Sequence, residues 1–93
     1  MNFNELEIYA HFMHVPIVRP KTKELILQYV AEVNPKQILE IGTAIGYSGS
    51  LMLEKASNAT LTTIEKSGTM VQKANVVFCK HNIVFQHFFN TFL

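Results

Sequence analysis

The chain has 93 residues, of which 48% are hydrophobic and 16% charged, and its net charge at pH 7 is +1. This composition is too apolar for a disordered tail, and the near-neutral charge gives no general electrostatic case for binding nucleic acid or an anionic membrane. The single cysteine excludes an internal disulfide framework and suits a reducing compartment, so we expect a cytoplasmic location without membrane attachment.

The first third of the chain predicts two helices joined by an extended connector. Apolar residues at spacings of three and four predict a short amphipathic helix within residues 1–14. The two prolines of residues 15–20 favour extended backbone there. Thr22 is expected to cap a second helix, which the Asn34-Pro35 pair ends. We expect this helix to bury one apolar face, made of Leu25, Ile26, Tyr29, Val30 and Val33.

The middle of the chain predicts strands and helices in alternation, which indicates the α/β class. Residues 38–41 form a short apolar run typical of a buried parallel strand, and the turn at 42–46 carries two glycines. A helix is predicted over 47–56, a second strand over 61–65 and a further helix over 69–77.

The end of the chain does not follow any ordinary amphipathic pattern. Residues 78–93 hold five of the seven phenylalanines: Phe78, Phe85, Phe88, Phe89 and Phe92. A third strand is predicted only at 83–85. We therefore divide a single partial domain into N-terminal helices (1–34), a cofactor-binding βαβ unit (35–77) and an atypical aromatic tail (78–93).

The βαβ unit has the features of a nucleotide-binding site. Gly42 allows the backbone to pass close to a ligand, and the helix that follows Gly46 aims free N–H groups at the ligand's negative group. Glu65 lies at the end of the second strand, where a carboxylate can accept hydrogen bonds from two ribose hydroxyls. The pattern predicts a cofactor that contains a ribose.

The spacing of the glycines distinguishes between cofactors. A dinucleotide site has the pattern Gly-x-Gly-x-x-Gly, whereas this turn is Gly-x-x-x-Gly, so the glycine that admits a pyrophosphate is absent. Glu40 precedes the turn by two residues. Its carboxylate would repel a pyrophosphate and attract the ammonium group of a methionine moiety, which favours S-adenosylmethionine over NAD.

The eleven residues 38–48, ILEIGTAIGYS, closely resemble motif I of the catechol and caffeoyl-CoA type O-methyltransferases, L-E-[IL]-G-x-x-x-G-Y-S. The resemblance extends from about residue 15 to about residue 75. Among bacterial members, the enzymes that methylate 5-hydroxyuridine in transfer RNA are the nearest in style. The resemblance implies the N-terminal part of a Rossmann-like class I methyltransferase fold, here incomplete.

Eight contacts with S-adenosylmethionine follow from this resemblance. Val18 lines the methionine end, Glu40 holds its amino group, Ser48 binds its carboxylate and Glu65 holds the ribose. Tyr47 is as consistent with a packing role as with a cofactor contact. The full set of implied positions is Val18, Glu40, Gly42, Thr43, Gly46, Tyr47, Ser48 and Glu65.

The chain departs from the family where the metal is bound. The family's magnesium ligands are aspartates and an asparagine that come later in the fold, and this chain contains no aspartate. We therefore assign no metal site and no catalytic residue. We expect a truncated or frame-disrupted product that is inactive alone, with O-methyl transfer to a catechol-like molecule or a transfer-RNA hydroxyuridine as the activity of the complete family.

Two other functions stay open at this stage. One is a non-enzymatic interaction module or remnant, which would use the aromatic tail and the unpaired edge of the first strand to associate with another copy or another chain. The other is a fragment that binds NAD or another nucleotide.

Overall fold

The computed structural model describes residues 3–79, which form four helices and a two-stranded parallel sheet. The order of elements is α1 (Phe3–Phe12), α2 (Pro20–Val33), β1 (Gln37–Ile41), α3 (Tyr47–Lys55), β2 (Thr60–Ile64) and α4 (Gly68–Phe78). The predicted α/β class and the predicted alternation are thus confirmed. The predicted strand at 83–85 and the phenylalanines from Phe85 onward lie outside the described residues.

The two strands run parallel, and α3 forms the crossover between them. Their register pairs Gln37 with Thr60 at one end and Ile41 with Ile64 at the other. The ladder continues into the turn after β1, because the Gly42 N–H donates to the Ile64 carbonyl at 2.8 Å. The carboxyl ends of both strands therefore meet at the glycine turn.

The core lies on the side of the sheet that faces the helices. Leu61 of β2 is fully buried, and Leu51 of α3 and Phe78 of α4 pack in the same cluster. Leu6 of α1 joins this cluster as well, so α1 is held against the βαβ unit. Phe78, which the sequence placed in the aromatic tail, is the last residue of α4 and is 2% exposed.

Two apolar faces that the sequence predicted to be buried are exposed. In β1, Leu39 is 67% and Ile41 is 74% exposed, so the strand is not buried on both faces. Leu25, Tyr29 and Val33 of α2 are also exposed, whereas Ile26 and Val30 of the same predicted face are half-buried. An apolar pattern shows which face is adapted for burial, but no element within residues 3–79 covers these faces. Self-association through the edge of β1 stays a prediction.

The predicted start of α2 is also wrong. Arg19 occupies the N-cap position without a side-chain hydrogen bond, and the helix begins at Pro20, so Thr22 lies inside its first turn. Proline suits this first position because its φ is already helical and its missing N–H would have no helical acceptor. The predicted end is confirmed, since Asn34 adopts the left-handed conformation that ends the helix.

Helix length and composition also bear on the membrane prediction. Within residues 3–79, no helix is both long enough and apolar enough to cross a bilayer.

Candidate functional site

The turn between β1 and α3 has an unusual backbone. Gly42 has a φ of 90° and Gly46 a φ of 86°, and Ala44 between them has a φ of 50°. A Cβ added at Gly42 would meet no atom within 4 Å, whereas one at Gly46 would lie 3.0 Å from the ring of Phe78. Gly42 therefore borders open space, and Gly46 is required by packing against α4.

Glu40, at the end of β1, faces the first turn of α3 and the neighbouring strand. Its Oε2 accepts a hydrogen bond from the Ser48 hydroxyl at 2.6 Å, and its Oε1 accepts one from the Thr63 hydroxyl at 2.7 Å. Burial raises the pKa of the Glu40 carboxyl, and the negative charge of Glu65 adds to the increase, while the two hydroxyls act in the opposite direction. Both oxygens retain a lone pair for a further donor.

Glu65 directly follows β2 and holds the glycine turn. Its Oε1 accepts the Ala44 N–H at 2.8 Å, and its Oε2 accepts the Ser67 N–H at 3.0 Å. Each carboxylate oxygen can accept more than one hydrogen bond, so Glu65 can support the turn and still bind a hydroxyl of a ligand. The two strand-end acids thus lie on either side of the glycine turn.

Tyr47, the first residue of α3, is tied to the N-terminal helices. Its hydroxyl donates to Glu7 Oε2 at 2.5 Å, and Lys23 Nζ approaches the same oxygen at 3.3 Å. The Tyr47 hydrogen bond is the main reason why the pKa of Glu7 is lowered. The edge of the Phe3 ring also packs against Tyr47. The hydroxyl of Tyr47 is thus committed to Glu7, and only its ring faces the site.

We expect Tyr47→Phe to lower the free energy of unfolding by about 1 kcal/mol at pH 7, the net value of one hydrogen bond. A lowered pKa stabilises the fold above the ordinary glutamate range, and this stabilisation is lost as the pH falls through the pKa of folded Glu7. The difference in the free energy of unfolding between wild type and Tyr47→Phe should therefore become smaller at acid pH. Urea unfolding followed by circular dichroism measures it, with Tyr29→Phe at an exposed tyrosine as the matched control. Equal curves for the two variants would refute the role of the hydroxyl.

A cavity of about 300 Å³ lies between the glycine turn and the connector before α2. Five of the eight predicted cofactor contacts line it: Val18, Gly42, Thr43, Tyr47 and Ser48. The other three are Glu40, which bonds Ser48, Glu65, which bonds the turn, and Gly46, which packs on Phe78. The fold thus brings the predicted set together, and the role of each residue toward a ligand stays a prediction.

Sequence reasoning missed three polar residues of this region. Glu7 and Lys23 belong to helices that are far from the motif in sequence, and Thr63 is a buried residue of β2. No group of three histidine, cysteine, aspartate or glutamate residues within 3–79 is arranged to hold a metal ion. A second cavity, of about 360 Å³, lies between α1 and α4 and touches the glycine turn only at Ile45.

A parallel βαβ unit whose glycine turn lies between two strand-end carboxylates is typical of the nucleotide-binding part of a Rossmann-like fold. The solved structures define the family further. No family model matches the chain. A Staphylococcus aureus protein described as a caffeoyl-CoA O-methyltransferase is 34% identical, over 95% of this chain and 44% of that protein, with a TM-score of 0.85.

Two more distant structures show the same fold. An O-methyltransferase from Bacillus cereus, solved in complex with S-adenosylhomocysteine, is 22% identical over 91% of this chain and 42% of its own, with a TM-score of 0.77. One from Streptomyces achromogenes that acts in tomaymycin synthesis, solved with S-adenosylmethionine, is 19% identical over 91% and 40%, with a TM-score of 0.73.

These matches confirm the predicted resemblance: the chain is similar to the N-terminal part of S-adenosylmethionine-dependent O-methyltransferases of the caffeoyl-CoA type and has their Rossmann-like fold. It spans less than half the length of the solved relatives.

Proposed function

We propose that the chain binds S-adenosylmethionine at the glycine turn and forms the cofactor-binding part of an O-methyltransferase. The observation that carries this proposal is the pair of carboxylates, Glu40 and Glu65, on either side of a turn whose Gly42 borders open space. In this arrangement Glu40 binds the ammonium group and Glu65 the ribose, while the methionine end lies in the cavity beside Val18.

The start of α3 suits the carboxylate of the cofactor's methionine moiety. The first helical hydrogen bond of α3 runs from the Ser50 N–H to the Gly46 carbonyl, so the N–H groups of the preceding residues have no helical acceptor. These groups and the positive end of the helix attract an anion. Ser48 has a hydroxyl in the first turn of α3, but it already donates its proton to Glu40. We therefore assign the cofactor's carboxylate to the backbone of α3.

The bound cofactor supplies an activated methyl group on a sulfonium, so the protein's main contribution is to hold donor and acceptor in line. We propose a hydroxyl of a catechol-like molecule or of a transfer-RNA hydroxyuridine as the acceptor. The chain alone is not expected to transfer the methyl group. The family's metal-binding carboxylates come after the part matched here, and the chain has no aspartate to replace them.

Calorimetric titration with S-adenosylhomocysteine and with NADH tests the proposed function. We expect the first ligand to bind and the second to give no measurable heat, because Glu40 repels a pyrophosphate. Glu65→Gln should weaken S-adenosylhomocysteine binding about 10-fold, since a ribose hydroxyl loses a charged acceptor. Glu54→Gln, at an exposed glutamate of α3, is the matched control.

Each other outcome favours a different function. NADH binding as tight as that of S-adenosylhomocysteine would favour a general nucleotide-binding fragment. Binding of neither ligand would favour the interaction module or a non-functional remnant.

A further inference from the structure

Two buried threonine hydroxyls form a chain of hydrogen bonds that connects the glycine turn to Glu40 through β2. The Thr43 and Thr63 hydroxyl oxygens are 2.6 Å apart, and the Thr63 hydroxyl lies 2.7 Å from Glu40 Oε1. Thr63 is 0% and Thr43 1% exposed. The strand register explains the arrangement, because Thr63 is paired directly with Glu40 in the parallel sheet.

The direction of these hydrogen bonds follows from the number of protons. An ionised carboxylate only accepts, so Thr63 must give its single hydroxyl proton to Glu40. Thr63 can then only accept from its other neighbour, and the Thr43 hydroxyl must be the donor of that bond. The chain therefore runs from Thr43 through Thr63 to the carboxylate, and every proton in it points toward Glu40.

We infer that Thr63 is a positioning residue that keeps Glu40 ionised and correctly oriented for a ligand's ammonium group. Thr63 has no exposed surface, so it acts only through Glu40 and Thr43. Hydrogen bonds that converge on a carboxylate favour its charged form and oppose the effect of burial. This inference rests on the proposed function, and it concerns ligands that carry an amino acid end.

Two variants and two ligands test the role of Thr63. S-Adenosylhomocysteine carries the ammonium group, whereas 5′-methylthioadenosine lacks the whole amino acid end. Thr63→Val keeps the shape and removes the hydroxyl, so we expect S-adenosylhomocysteine to bind about 10-fold more weakly and 5′-methylthioadenosine to bind unchanged. Thr63→Ser keeps the hydroxyl, so we expect it to bind S-adenosylhomocysteine with wild-type affinity.

The pH profile gives a readout that a merely structural role would not change. S-Adenosylhomocysteine binding should weaken in acid as Glu40 takes up a proton, and loss of the Thr63 donor should move this decline to higher pH. Glu65 is the charged neighbour of Glu40, so the profile is repeated with Glu65→Gln as a control. Thr43→Val leaves the hydrogen bond from Thr63 to Glu40 intact, so we expect the affinity for S-adenosylhomocysteine to fall only about 3-fold. We expect this variant to fold even if Thr63→Val does not, so it keeps the proposal testable.

The possible failures are distinct. If the wild-type chain does not bind S-adenosylhomocysteine, the proposed function is overturned. If the wild type binds and Thr63→Val binds equally well, or loses affinity for both ligands alike, the positioning role of Thr63 is overturned. A Thr43→Val variant with unchanged affinity and pH profile overturns the connection to the glycine turn.

Discussion

Replacing Gly46 with alanine is expected to lower the free energy of unfolding by about 3 kcal/mol. The left-handed backbone at this position, with a φ of 86°, costs an alanine about 1 kcal/mol relative to glycine. The new Cβ would also lie 3.0 and 3.1 Å from two ring atoms of Phe78, which is 2% exposed and cannot move freely. Overpacking of this kind costs about 1–3 kcal/mol.

Gly42→Ala is the matched control, because it has the same backbone strain without the contact. Its φ is 90°, and its Cβ would meet nothing within 4 Å, so we expect a loss of only about 1 kcal/mol. Urea unfolding of both variants measures the difference, and Phe78→Leu combined with Gly46→Ala should recover part of it. Equal losses for the two glycine variants would show that Phe78 does not restrict Gly46.

The elements of this fold were largely predictable because their signals are local. The apolar run of β1, the two glycines and the polar break after α3 are adjacent in sequence, and each fixes its own part of the backbone. The exposure of Leu39 and Tyr29 was not predictable in the same way. Whether an apolar face is covered depends on which other elements are present, and periodicity carries no information about that.

The residues of the site also differ in how far they were predictable, according to whether their contacts follow from local sequence. Glu40, Gly42 and Glu65 belong to one βαβ unit, and the parallel crossover necessarily brings them to one edge. The tie between Tyr47 and Glu7 joins residues 40 positions apart, and no pattern in the sequence marks it. Thr63 could have been found from the strand register. It lies on the same face of β2 as the buried Leu61, and a buried polar residue there needs a polar partner on the neighbouring strand.

The arrangement around Glu40 implies that stability and ligand affinity oppose each other there. Burial raises the pKa of this carboxyl, so the folded state binds a proton more tightly than the unfolded chain does. The contribution of Glu40 to the free energy of unfolding must then fall as the pH rises from the ordinary glutamate range through the raised pKa. Above the raised pKa the ionised carboxylate is a cost to the fold, which the two hydroxyls offset in part and a cationic ligand can offset further.

Glu40→Gln should therefore change the two properties in opposite directions. We expect the variant to be at least as stable as wild type at pH 7, because it does not show the decline in stability above the ordinary glutamate range. We expect it to bind S-adenosylhomocysteine about 10- to 100-fold more weakly, the value of a charged hydrogen bond, with 5′-methylthioadenosine unaffected.

Denaturant unfolding across pH and calorimetry on the same samples measure both effects, with Glu54→Gln as the control for a charge change on the surface. A variant that loses stability and affinity together would show that Glu40 supports the fold and has no specific role toward an ammonium group. A variant that gains stability and keeps its affinity would place the ammonium group elsewhere. Only opposite changes are consistent with a buried carboxylate whose charge serves the ligand at the expense of the fold.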